Sequence, residues 1–284
     1  MTLIQTHPTV DPLALRLSRA TARIASAGLR TAPPLLFGLS FPVALVALWS
    51  FGASSGWLPP QILPAPGVVW ESFALLFADG SLGAHTQASL HRVATGFALG
   101  AAIGLAFGAA VGLLPAVRAY GWPPVQAVTR VNVLAWMPLL TLFLGIDETL
   151  KVVVIAWSAA IPIILGTARG FADVPAGYRE LGAAMGLRPY QRLRLIVLPG
   201  ALPQVFTGLR EGLANAWQTL VIVELFASFE GLGYLMTWGR QLFQLDLVLV
   251  AMLVIAAIGF LLDGVLKTIE ARVQPWRTES GRDR

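Results

Sequence analysis

The 284-residue chain is 56% hydrophobic and only 12% charged, with a net charge of +5 and a mean hydropathy of +0.71. Soluble globular domains carry roughly 25% charged residues, so a chain this poor in them cannot cover its own surface in water, whereas a bilayer removes that requirement. The absence of cysteine excludes disulfides, thiolate metal sites and thiol nucleophiles. The basic excess, nearly all arginine since Lys151 and Lys267 are the only lysines, falls between apolar runs, where it sets membrane orientation rather than binding nucleic acid.

In chain order, residues 1–34 form a basic tail with Arg16, Arg19, Arg23 and Arg30. That leader is longer than the charged region of a signal peptide, so the apolar run behind it reads as an uncleaved first helix. A span needs about 20 mostly apolar residues. Six stretches qualify: Phe37–Ala53, Val93–Leu114, Val125–Leu144, Val152–Ala168, Leu202–Ala227 and Leu245–Leu266. The expected fold is therefore an all-α, polytopic membrane protein with six transmembrane helices. The permease-like region runs over 35–268 and a basic tail over 269–284.

Between the first two spans, Leu58 to Pro66 is rich in proline and cannot be helical throughout. Val68–Phe77 then has the pattern of an amphipathic helix lying in the interface. The second span carries Gly96, Gly100, Gly104, Gly108 and Gly112, a stripe on one helical face that admits a close neighbour. Such a face serves either static packing or sliding during gating. Pro138 and Pro162 lie inside spans as expected kinks.

Arginine and lysine are unevenly shared between the two sides. Arg118, Arg130, Arg169, Arg179, Arg188, Arg192, Arg194 and the C-terminal cluster from Lys267 to Arg284 fall on the side of the N-terminal tail. Only Arg92, Lys151 and Arg240 fall opposite. Both termini and the loop between the fourth and fifth spans are thus expected in the cytoplasm.

That loop has an internal design. Residues 178–186 suit a short helix ended by Gly186, and a second basic amphipathic piece, Tyr190 to Val197, stops before Pro199. A helix–glycine turn–helix projecting from a membrane face fits a groove on another protein. The spacing of Glu180, Gly182, Gly186, Ile196, Leu198 and Pro199 resembles the EAA loop of ABC importer permeases. This resemblance implies a cytoplasmic coupling helix, here within 176–199, in a type I importer permease fold. Leu181-Gly182 stands where that loop usually has two alanines. From about Leu63 to Trp276 the chain is most similar to the permeases for aliphatic sulfonates, taurine and nitrate. Gly145-Ile146-Asp147-Glu148 with Lys151, Leu198-Pro199-Gly200-Ala201-Leu202-Pro203, Gly208-Leu209-Arg210, and Glu224 with Gly231-Leu232-Gly233-Tyr234 carry that likeness. Between Arg130 and Pro138 the chain lacks a residue and a proline typical of the subgroup.

The resemblance implies a separate ABC ATPase subunit, a substrate-binding protein and a second copy of the permease, making a homodimer. ATP and magnesium would sit on the ATPase, with no cofactor in this chain. The residues agree: neither lysine follows a glycine, as a GxxxxGK[ST] loop requires, and His7, His85 and His91 have no metal-ligand spacing. No catalytic residue or metal ligand is expected. Polar side chains inside spans are candidates for the solute pathway because lipid does not solvate them. These are Asn132, Asn215, Gln218, Thr219 and Glu224; structural hydrogen bonding between helices is the alternative for each. Glu211 would repel an anion, and Glu224, near the outer end, could instead lock that end. The function expected is import of a small solute, an aliphatic sulfonate foremost, with taurine, nitrate or a vitamin precursor as alternatives. From a different class, an ion-coupled transporter or a channel is the alternative. The first calls for coupling carboxylates at mid-membrane or inverted repeats, neither of them clear in the sequence. The second does not explain the docking loop, and a membrane enzyme calls for a convergent catalytic set that is not visible.

Overall fold

The structure, a computed structural model, describes residues 34–56, 59 and 63–274, with side chains from Val43 onward. The N-terminal tail up to residue 33, part of the proline-rich segment and the end of the C-terminal tail lie outside these residues. Two compact units are present, 1–66 and 67–284. In the first, helix α1 (Pro34–Ser54) is 21 residues long, about 31 Å at 1.5 Å per residue and so long enough for a span. Within this unit the Trp49 indole donates to the Pro64 carbonyl at 3.0 Å.

The second unit is helical throughout its described elements: α2 (Pro66–Ala78), α3 (Ser81–Leu113), α4 (Pro115–Thr129), a 3-10 turn (Val133–Trp136), α5 (Met137–Leu144), α6 (Glu148–Ala172), α7 (Ala176–Ala184), α8 (Pro189–Arg192), a π segment (Leu193–Val197), α9 (Leu198–Ala227), α10 (Leu232–Gln241) and α11 (Leu245–Val273). By length and apolarity α3, α6 and α11 can each cross a membrane; two bent pairs raise the number to five.

Helix α6 is the axis of the unit, held between α3 and α9 by glycine faces. Cβ atoms added at Gly100, Gly104 and Gly108 would lie 2.5 Å from the Ala156 carbonyl, 2.8 Å from Ile163 and 2.7 Å from Thr167. On the other side of α6, Gly166 and Gly208 meet nearly backbone to backbone, a Cβ on Gly166 falling 2.7 Å from the Gly208 Cα. Without Cβ atoms the axes approach closely, and dispersion replaces the hydrophobic drive that lipid cannot supply between helices. The stripe is a packed interface in this conformation.

The structure corrects the third span. Val125–Leu144 is not one kinked helix: α4 and α5 are bent by 86° at the break after Thr129. Asn132 adopts an extended backbone and its Oδ1 accepts from the Leu134 N–H at 2.9 Å, starting a new helix. Pro138 in the first turn of α5 then needs no donor of its own, which an uninterrupted helix would have required. The second amphipathic piece of the loop is also different from expectation, running without a break through Leu193–Val197 into α9. The wider π turn, closed by the Leu198 N–H on the Leu193 carbonyl, makes room for Pro199 inside a continuous helical run.

Candidate functional site

Three local arrangements carry chemistry. The first is the loop at α7. A Schellman motif ends this helix: the Leu187 N–H reaches the Gly182 carbonyl at 3.0 Å and the Gly186 N–H the Ala183 carbonyl at 3.0 Å. Gly186 has φ +73°, which is why a glycine is needed there. Gly182 is buried, and a Cβ in its place would meet the Ile196 side chain at 2.6 Å. Ile196 joins Leu193, Phe171, Val174 and Val197 in a core cluster, while Arg179 donates to the Phe171 carbonyl at 2.5 Å. The knob is thus fastened to the ends of α6 and α9. Its outward face is unpartnered, with Glu180 exposed and Tyr178, Leu181 and Met185 60%, 57% and 71% accessible.

The second arrangement is a cavity of about 260 Å³ between α6, α9 and the α4–α5 break. Thr129, Asn132, Ser158, Asn215, Gln218 and Thr219 supply its polar wall. The Ser158 and Thr219 hydroxyls bond each other at 2.7 Å. Because the Asn132 oxygen is occupied by Leu134, its amide nitrogen is the free end. Ile161 and Ile222 form part of the apolar wall, and no lysine or arginine lines the space.

The third arrangement is a buried ion cluster. Arg92 is 1% exposed. Its guanidinium forms a fork on Glu148 at 2.7 and 2.8 Å, donates to Glu224 at 2.8 Å, and meets Glu230 through both the carboxylate at 2.7 Å and the carbonyl at 2.9 Å. Glu224, 1% exposed, also accepts from the Ser89 hydroxyl at 2.9 Å and the Gly233 N–H at 3.0 Å. Lys151 binds Glu148 at 2.6 Å. His85 Nδ1 accepts from the Gly231 N–H at 3.0 Å. Gly231 has φ +108°, and any Cβ there would run into the Glu224 carboxylate. One cation thereby ties together α3, α6, α9 and the turn into α10. Among the described residues no group of acidic and histidine side chains could hold a metal ion.

Residues 100–275 match the family described as the inner membrane component of binding-protein-dependent transport systems. Among curated proteins, the putative aliphatic sulfonates transport permease SsuC of Bacillus subtilis is 33% identical over 84% of this chain and 87% of its own length. Its namesake in Escherichia coli is 36% identical over 87% of this chain and 92% of its own. The taurine transport system permease TauC of Escherichia coli is 33% identical over 83% and 87%. The chain belongs to this family of inner-membrane permeases. It is a transport subunit and not an enzyme.

In this permease the expected pathway residues divide. Asn132, Asn215, Gln218 and Thr219 come together around one cavity. Glu224 does not line it; its carboxylate is consumed by Arg92, Ser89 and Gly233. The reason is rotational, since Glu224 lies on the face of α9 toward α3 while Asn215 and Gln218 are on the exposed face. Glu211 is exposed on α9. Glu180, Gly182, Gly186, Ile196, Leu198 and Pro199 lie in the α7–α9 loop, with Gly182 and Ile196 in contact. Sequence reasoning missed Arg92 as a hub. A signal existed: it precedes Gly96 by four residues, on the glycine face that packs on α6.

Proposed function

We propose that this permease carries an aliphatic sulfonate along a path that two copies form around the polar face of α9. The observation carrying this reading is that Gln204, Thr207, Glu211, Asn215 and Gln218 are all exposed at helical spacing along a membrane-length helix. Glu211, whose charge would repel an anion, does not line the cavity that receives the solute. Hydrocarbon would leave such groups unsatisfied, so this face meets water or another protein. The cavity behind it supports the substrate class. Its side-chain amides at Asn132, Asn215 and Gln218 offer donors to an acceptor-only sulfonate head, while the Thr129, Ser158 and Thr219 hydroxyls bond within the protein, and Ile161 and Ile222 suit a short alkyl tail. Neutral donors hold an anion loosely enough to release it. Sulfonates and taurine appear in the relatives' names.

On the same reading the exposed face of α7 around Glu180 docks a separate ABC ATPase, which holds ATP and magnesium. A substrate-binding protein delivers the solute at the opposite end, and both termini lie in the cytoplasm. Nucleotide and loaded binding protein favour different states, and transport follows from the shift between them. The test is uptake of labelled alkanesulfonate by cells expressing the permease with its ATPase and binding protein. Asn215→Leu with Gln218→Leu should lower uptake at least tenfold with the ATPase still bound. Glu180→Lys should abolish uptake and ATPase co-purification while membrane insertion persists. Retained ATPase in the second variant would sink the docking role, and unchanged uptake in the first would sink the path.

A further inference from the structure

We infer that the groove between α3, α4 and α6 binds an anionic phospholipid, with an acyl chain in its apolar length and the phosphate between Arg118 and Arg169. The groove holds a cavity of about 500 Å³, within the size range of small-molecule sites. Leu99 and Ile103 on α3, Val125 on α4, and Trp157 and Ile164 on α6 wall it, and no charged side chain lines it. Leu99 and Ile103 are 51% and 58% exposed, so the cavity opens sideways toward the hydrocarbon.

One helical turn further along α3 and α6, from Phe107 to Val111 and from Ile164 to Ala168, a second small cavity of about 50 Å³ follows. Gly121 of α4 sits where the two meet: a Cβ there would lie 3.2 Å from Phe107 and 3.5 Å from Val111. The small cavity is lined by Arg118, Trp122, Arg169 and Asp173. Two guanidiniums face one carboxylate, and among the described residues neither arginine forms an ion pair. An apolar trough that ends at unpaired cations beside a tryptophan has the polarity sequence of a lipid: tail, interface, phosphate. Charge complementarity sets the occupant. Helix α1 contains no acidic residue to meet the two arginines, and the acidic side chains of α11 at Asp263 and Glu270 already pair with Arg210.

The experiment is native mass spectrometry of the full-length permease in mild detergent, exposed to phosphatidylglycerol or to phosphatidylcholine with the same chains. Phosphatidylglycerol adducts should persist to higher collision energy. Arg118→Gln with Arg169→Gln should lower their retention ~30-fold, from roughly fivefold per charge. Val125→Trp, which fills the apolar length and leaves the cations in place, should also lower it. Equal retention of the two lipids, or an unchanged double arginine variant, overturns the assignment. Efficient oxidative crosslinking of Val125→Cys to Leu48→Cys in α1, or of Val125→Cys between two copies, would give the groove to protein and overturn it too.

Discussion

At the scale of single residues, Arg92 has the largest energetic consequence. A guanidinium and a carboxylate that are both about 1% exposed lose their hydration, and only mutual pairing with further hydrogen bonds offsets that loss. Removing one partner leaves the other charged and buried. Arg92→Ala should therefore destabilise the fold by about 3–5 kcal/mol, read as a large fall in the melting temperature of the purified permease. Arg92→Lys should recover little, because an ammonium cannot reproduce the fork on Glu148 while also reaching Glu224 and Glu230. Adding Glu224→Gln to Arg92→Ala should restore part of the loss, since a neutral amide costs less to bury than an orphaned carboxylate. If Arg92→Ala melts like the parent, the cluster is not a clamp.

At the scale of elements, stability comes from how closely α3 and α6 approach. A side chain at Gly100 has no room, its Cβ 2.5 Å from the Ala156 carbonyl, whereas Gly83 on the same helix has open space around it. Gly100→Leu should force the helices apart and cost about 1–3 kcal/mol or more. Gly83→Ala should be neutral or stabilise by up to about 1 kcal/mol through helix propensity. Melting temperatures moving in opposite directions would confirm that space, not glycine content, is what matters. The stripe was legible in the sequence because a four-residue period of glycine has one geometric meaning on a helix. The turn at Gly186 was legible for a similar reason, since a short helix followed by glycine specifies a left-handed ending. The break at Asn132 was not. An asparagine in an apolar run reads equally as a polar residue within a span or as a helix start, and only its bond to the Leu134 N–H decides. Arg92 escaped because a cation at the edge of a span also reads as an orientation signal; its three carboxylate partners lie 56 to 138 residues away.

At the scale of the whole molecule, the distribution of exposed side chains assigns different surroundings to different helices. Helix α11 presents Met252, Leu253, Phe260 and Leu261 outward, 49% to 79% accessible, a surface that lipid solvates well. Helix α9 presents Gln204, Thr207, Glu211, Asn215 and Gln218, which lipid does not solvate. Two copies meeting across α9 would remove this mismatch, because each polar face would then border the other across a shared aqueous space. The absence of cysteine makes the arrangement directly testable. Gln218→Cys and Leu253→Cys are each placed singly in the full chain and treated in membranes with a short bis-maleimide. Gln218→Cys should yield a species of twice the 30.3 kDa chain mass, and Leu253→Cys should stay monomeric on the gel. Random collision would link both positions, so equal yields would refute pairing through α9. Linkage at position 253 alone would turn the assembly round, leaving the polar face of α9 to line a path within one copy.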